Sequence, residues 1–196
     1  MSVKNTNTTA DYIPWDSAMN LVHHLYKNGE YTMSLLIGCG CFFGLRISDL
    51  LSLTWKQVLS EDGTFTLNEK KTGKRRTIKV NEGFKKHIQD CHEALDIKDD
   101  NLPCFISRKG CVYTPQRINV KFKLIKARYG LKMGNFSTHS LRKTFGRKVF
   151  ESAGEQAEVA LVRLMELFNH SSVAITKRYL GLRQEELLGT YDLLEF

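Results

Sequence analysis

The chain has no apolar run long enough to cross a membrane. Its most hydrophobic stretch, Met33 to Leu45, is too short and is interrupted by Gly38, Gly40 and Gly44. The opening residues, Met1 to Tyr12, are polar and lack the apolar centre of a secretory signal. A cytoplasmic protein without a membrane partner is therefore expected. Cysteine is scarce and odd in number: Cys39, Cys41, Cys91, Cys104 and Cys111 show no framework spacing. That excludes a disulfide scaffold and predicts reduced, mostly buried thiols. Only one residue separates Cys39 from Cys41, inside an apolar run, so a structural zinc is not expected there. Internal repeats and low-complexity linkers are absent as well.

What is present suits one substantial domain. The 196 residues are 42% hydrophobic, enough for a core, and carry a formal net charge of +8. The positive charge is spread over several segments, which favours a polyanion, nucleic acid ahead of a membrane surface. Composition alone is equally compatible with an ordinary, mildly basic protein.

Residues 1 to about 10 are Asn/Thr-rich and expected to be mobile. Asp16 or Ser17 can cap a helix with Ala18, Leu21, Val22 and Leu25 inside, closed by Asn28 and Gly29. A second helix, Tyr31 to Phe43, is apolar on nearly every side and should be central, with Gly44 as its left-handed stop. Ser48 can cap a short helix just beyond. Arg46 sits in that junction, where an apolar neighbourhood requires it to be paired or to bind an anion. The period then changes to strands, Thr64 to Leu67 and Arg76 to Val80, around a charged tip from Lys70 to Arg75. The tip is either a solvated turn or a finger reaching for a phosphate backbone.

A helix after Asn81 buries Phe84, Ile88, Cys91 and Leu95, and short strands are expected at Cys104 to Ser107 and Val112 to Tyr113, around Arg108. Pro115 opens a helix that buries Ile118, Phe122 and Ile125 and shows Arg117, Lys121, Lys123, Lys126 and Arg128 outward. That basic side is a solvated face or a surface for a DNA groove; the pattern allows both. A further helix, about Glu155 to Phe168, stops at Asn169, and one capped by Ser171 or Ser172 carries Tyr179 and ends at Gly181. The tail beyond has Leu187, Leu188, Tyr191 and Leu194 available for packing, on its own domain or on a neighbour.

Chemistry concentrates between His139 and Tyr179. With Ser137 or Thr138 as cap, His139 and Arg142 project from neighbouring parts of one helical face, and Gly146 lies on the same side, leaving room for a close-packed ligand. Leu141, Phe145 and Val149 form the core-facing stripe. Such a helix is expected to present a cationic edge outward, and the natural target of that edge is a phosphate. Singly, a His-x-Leu-Arg pair or a Tyr near a C-terminus means little. The ordered set Arg46, a Lys-rich tip, His139, Arg142, His170 and Tyr179 means more.

That set resembles the tyrosine recombinase (phage integrase) family. The likeness rests on Gly44-Leu45-Arg46-Ile47-Ser48-Asp49-Leu50-Leu51-Ser52-Leu53, Lys71-Thr72-Gly73-Lys74, His139-Ser140-Leu141-Arg142, and Asn169-His170-Ser171-Ser172 leading to Arg178-Tyr179, and spans about Trp15 to Gly181. The resemblance implies a mainly α catalytic domain with a small antiparallel β-sheet, an α+β fold. The expected layout is a flexible N-terminus at 1–12, the catalytic domain at 13–181 and a tail at 182–196. It also implies a reaction: Tyr179 attacks a scissile phosphodiester and forms a 3′-phosphotyrosine, which a 5′-hydroxyl then reverses, with no metal or cofactor. Arg46 and Arg142 would clamp the phosphate, His139 would exchange the tyrosine proton and His170 would donate to the phosphate. Lys71, with Lys74 in reserve, would protonate the leaving oxygen.

Lys74, Arg75, Arg117, Lys121, Lys123, Lys126, Arg128 and Lys143 would contact double-stranded DNA. A monomer in the free state and a tetramer on DNA are expected, with the tail as a protomer-docking element. Family members usually carry a separate helical DNA-binding domain ahead of the catalytic one. With the motifs beginning this early, none is expected here, as in the single-domain fimbrial phase-switch inversion recombinases. The alternatives are a DNA-binding regulator that keeps the fold without the reaction, and a relaxing topoisomerase. The complete side-chain set disfavours the first, and the His-x-Leu-Arg spacing disfavours the second.

Overall fold

The computed structural model describes residues 10–107 and 109–193. In chain order these form α1 (Trp15–Lys27), α2 (Tyr31–Phe43), α3 (Ile47–Leu50), α4 (Trp55–Val58), strands β1 (Thr64–Asn68) and β2 (Arg75–Lys79), then α5 (Glu82–Ala94), α6 (Pro115–Arg128), α7 (Thr138–Ser152), α8 (Ala157–Phe168), α9 (Val173–Leu180) and α10 (Leu182–Gly189), with 3-10 turns at Gly154–Gln156 and Tyr191–Leu193. The mainly α architecture with one small antiparallel sheet is as expected. Among the described residues, no helix is long and apolar enough to cross a membrane. The chain divides into two compact units inside α7, after Thr144.

The first unit is built around α2. Leu35, Leu36, Ile37, Cys39 and Cys41 are fully buried, and each buried Leu or Ile contributes ~1.5–3 kcal/mol of transfer free energy. Two of its glycines permit close packing on different sides. A Cβ on Gly38 would sit 2.5 Å from the Phe84 ring of α5, and one on Gly40 would sit 2.4 Å from Leu141 of α7. Gly44 ends the helix with φ +57°, the left-handed conformation that glycine adopts without cost. The hairpin pairs Phe65 with Ile78 and Leu67 with Arg76. Phe65 and Ile78 are buried on one face, and the Phe65 ring meets Phe43 edge-on at 5.5 Å. The Asn81 side chain caps α5 by accepting the Phe84 amide, and Pro115 opens α6 with Thr114 as its cap.

Two caps fall elsewhere than expected. α1 begins before Asp16 and Ser17: the Pro14 carbonyl already accepts the Ala18 amide, so Asp16 lies inside the first turn, where its charge favours the helix dipole. Ser48 is likewise inside α3. The chain re-enters the helix immediately after extended Arg46, so Ser48 is already helical and its hydroxyl turns to Asp49, 3.4 Å away. The two short strands expected near Arg108 reduce to a single bridge between Ile106 and Val112; Arg108 itself lies outside the described residues. Four cysteines are buried and Cys111 is exposed, all as free thiols. Within the expected N-terminal segment, the Asp11 carboxylate accepts the Gly134 and Asn135 amides.

The second unit packs α7 from Phe145 onward, α8, α9 and the start of α10 around Leu161, Leu164, Phe168, Leu180 and Leu182. Asn169 ends α8 with φ +53° and Gly181 ends α9 with φ +83°. Ser172 caps α9 by accepting the Ile175 amide. Gly146 does not leave room for a ligand, because a Cβ there would lie 2.6 Å from Leu180 and 3.1 Å from Phe168. Its role is to let α9 approach α7. Leu187, Leu188 and Tyr191 of the tail are exposed; Leu194 lies outside the described residues.

Candidate active site

The C-terminal end of α2 gathers the arginines. A helix end presents carbonyls without intrahelical donors and the negative pole of the helix dipole. Arg76 Nη2 donates to the Phe43 carbonyl at 3.0 Å, and Arg142 Nη1 donates to the Gly44 carbonyl at 2.7 Å, across 98 residues of sequence. Arg46 follows two residues later as the residue preceding α3. Arg142 is therefore not on an outward cationic edge, as its helix position suggested. It is 4% exposed, because α7 packs Leu141 against Gly40 and directs the next side chain to the end of α2.

The hairpin turn joins this cluster through carboxylates. Glu69 Oε2 accepts from Arg46 Nη1 at 2.7 Å and from the Thr72 hydroxyl at 2.8 Å, while its Oε1 lies 3.7 Å from Arg76 Nη1. Burial alone would raise the Glu69 carboxyl. The hydrogen bonds from Thr72 and Arg46 and the charges of Arg46 and Arg76 outweigh it and hold its pKa below the ordinary value. Asp49, buried in α3, accepts the Lys70 amide at 2.9 Å. Gly73, at φ +68°, closes the turn by donating its amide to the Glu69 carbonyl. Lys71 and Lys74 are both exposed on it.

His139 is exposed at the start of α7. Desolvation at its packed side, then the positive charges of Arg142 and Lys143, hold the imidazole below its usual pKa, which favours the neutral form. Lys143 is nearly buried, and that burial lowers its pKa against the opposing charge of Asp11.

In the second unit, the Tyr179 ring packs edge-on against His170 at 5.3 Å and Phe168 at 5.5 Å. His170 Nδ1 is 3.0 Å from the hydroxyl of buried Thr176, which also lies 3.4 Å from the Ser172 carbonyl. One turn of α9 thus supplies both the tyrosine and the residue that fixes the histidine ring.

Comparisons to known proteins give the family and the fold. The family model described as "Phage integrase family" matches residues 16–186. The chain belongs to the phage integrase family. Among relatives of the integrase family, Probable integrase/recombinase YoeC of Bacillus subtilis strain 168 is 31% identical over 149 residues, covering 76% of this chain and 77% of that protein. Tyrosine recombinase XerC of Xanthomonas campestris pv. campestris is 27% identical over 152 residues, covering 76% of this chain but 44% of its own length. The XerA recombinase structure superposes with a TM-score of 0.71 at 19% identity, over 97% of this chain and 68% of that one. XerH bound to a palindromic difH substrate gives 0.67 at 19% identity, over 95% and 54%. The fold of this family member is thus that of a tyrosine recombinase catalytic domain.

Of the residues expected at DNA, Lys74, Arg75, Arg117, Lys123 and Arg128 are exposed, Arg128 while paired with Glu30. Lys121 stands 5.4 Å over the Tyr113 ring, Lys126 donates to the Gly134 carbonyl, and Lys143 is nearly buried. Glu69, Arg76, Asp49 and Thr176 were not singled out in the sequence. For Glu69 a signal existed, since it is the one carboxylate at the base of a turn that otherwise reads Lys, Lys, Thr, Gly, Lys, Arg, Arg.

Proposed function

We propose that the chain is a site-specific DNA recombinase that cleaves and rejoins double-stranded DNA through a 3′-phosphotyrosine on Tyr179. The observation that carries this reading is the gathering of Arg46 and Arg142 at one helix end, with a lysine-bearing turn tied to the first of them. Two guanidiniums and a lysine are the groups that an in-line displacement at phosphorus requires. Negative charge develops on the non-bridging oxygens, where planar guanidiniums bind two oxygens at once. The Tyr179 oxygen forms a bond to phosphorus, the bond from phosphorus to the 5′-oxygen breaks, neutral His139 takes the phenol proton, and Lys71 gives a proton to the departing oxygen.

His170 donates to the phosphate. Its Nδ1 lies 3.0 Å from the Thr176 hydroxyl, which can donate either to Nδ1 or to the Ser172 carbonyl. Donation from Thr176 to Nδ1 leaves the imidazole proton on Nε2, the tautomer that can reach a phosphate oxygen without extra charge. Attack by a free 5′-hydroxyl reverses the step and joins the new strand.

Lys74, Arg75, Arg117 and Lys123 are the leading phosphate contacts, and Lys121, Lys126, Arg128 and Lys143 belong to the same basic set. Protomers assemble on paired sites as a tetramer, with exposed Leu187, Leu188 and Tyr191 as the docking stripe. The test is a denaturing gel of protein mixed with nicked duplexes of randomised sequence. Wild type is expected to give a shifted, protease-sensitive DNA band and Tyr179→Phe none, with DNA binding retained because no positive charge is removed. An equal band from both proteins refutes the reading.

A further inference from the structure

We propose that Glu69 is a positioning residue that locks Arg46 and the lysine-bearing turn into one unit, so that phosphate clamp and proton donor address the same phosphodiester together. This rests on the recombinase reading above. One carboxylate oxygen, Oε2, receives both the Arg46 guanidinium and the Thr72 hydroxyl, and Thr72 adjoins Lys71. The main chain of the same residue closes the turn: its amide donates to the Lys74 carbonyl at 2.9 Å and its carbonyl accepts the Gly73 amide at 2.8 Å. Asp49, three residues after Arg46, holds the Lys70 amide and ties the turn to α3 a second time.

Glu69 is 4% exposed and thus an internal strut, not a solvated surface charge. It also lies between two guanidiniums. Arg76 is kept below its ordinary pKa by burial and by the nearby Arg46 charge, and Glu69 opposes both effects. The chemistry demands such a strut. The arginine must meet non-bridging oxygens while the lysine meets the bridging oxygen of the same phosphorus, and a displacement of ~1 Å costs on the order of 100-fold in rate.

The deciding experiment separates proton donation from clamping. Two duplexes of one sequence, recovered by covalent capture from the randomised nicked pool, differ only in the scissile 5′-bridging atom, oxygen or sulfur. A thiolate leaves without being protonated, so the sulfur substrate needs no lysine proton. Covalent adduct formation is measured for wild type, Lys71→Ala, Lys74→Ala and Glu69→Gln, which keeps the shape and loses the charge. The lysine whose loss sulfur restores is the acid. Glu69→Gln should lose about 100-fold on oxygen and about 10-fold on sulfur, the remainder being the disoriented arginine. An equal loss on both substrates assigns Glu69 a purely structural role. No loss, or faster cleavage as expected of a plug on Arg46, overturns the proposal equally.

A second arm uses the full chain without DNA. Phenylglyoxal labelling of Arg46 should quicken about fivefold in Glu69→Gln, as expected for loss of a partly exposed ion pair, with Arg142 unchanged. If wild type captures no duplex, the recombinase reading fails while this arm still decides the strut. Unchanged Arg46 labelling in a variant that keeps its melting transition overturns it.

Discussion

Replacing Gly40 with alanine tests whether the close approach of α7 to α2 builds the arginine cluster. The added Cβ would sit 2.4 Å from Leu141 Cδ1 and 2.8 Å from Leu141 Cβ. Carbon atoms pack comfortably at ~3.5–4.0 Å, so the overlap exceeds 1 Å on the shorter contact. The Leu141 methyl can rotate away, but its Cβ is fixed to the helix backbone, so α7 must shift. Overpacking of this kind costs ~1–3 kcal/mol. Alanine in mid-helix returns ~1 kcal/mol through its better propensity. The net expectation is a loss of ~0–2 kcal/mol, a fall of up to roughly 8 °C in Tm for a chain of this size. Arg142 follows Leu141, so the same shift lengthens its 2.7 Å bond to the Gly44 carbonyl and should cut adduct formation by ~100-fold. Thermal unfolding followed by circular dichroism measures the first effect and the covalent-adduct gel the second. A Tm that is unchanged or raised, with normal cleavage, would refute the argument that this glycine sets the position of Arg142.

Arg142→Lys should abolish cleavage in a folded protein, because lysine keeps the charge but cannot hold the Gly44 carbonyl and a phosphate with one planar group; near-normal adduct formation removes Arg142 from the clamp. Glu69 has a folded pKa below its unfolded value, so the stability that it contributes is present above the ordinary carboxylate pKa and is lost as pH falls through the lower, folded value. The urea midpoint of wild type should therefore drop faster with acidification below about pH 4.5 than that of Glu69→Gln, and parallel curves contradict this. DNA affinity should fall steeply between low and moderate salt, since Lys and Arg contacts to phosphate release counterions; a flat titration contradicts the electrostatic picture.

The sequence by itself determined what depends on a residue's own neighbours along the chain. The bounds of α2 follow from a segment that is apolar on nearly every side and ends at Gly44, and the left-handed stops at Asn169 and Gly181 follow from the residue types that tolerate positive φ. The caps at Asn81 and Ser172 and the hairpin's alternating pattern are local in the same sense. The order of the family's motifs along the chain was legible for the same reason.

Tertiary structure decided what depends on groups distant in sequence. Periodicity puts Arg142 beside His139, but only the contact of Leu141 with Gly40 buries it at the end of α2. Helical position marks Gly146 as small, but only the arrival of Leu180 and Phe168 shows that protein, not ligand, fills the space. An apolar junction requires Arg46 to be paired or to bind an anion, yet nothing local names Glu69, 23 residues on, as the partner. A side chain's burial and counter-charge are properties of the packed chain, and no repeat of residue types encodes them.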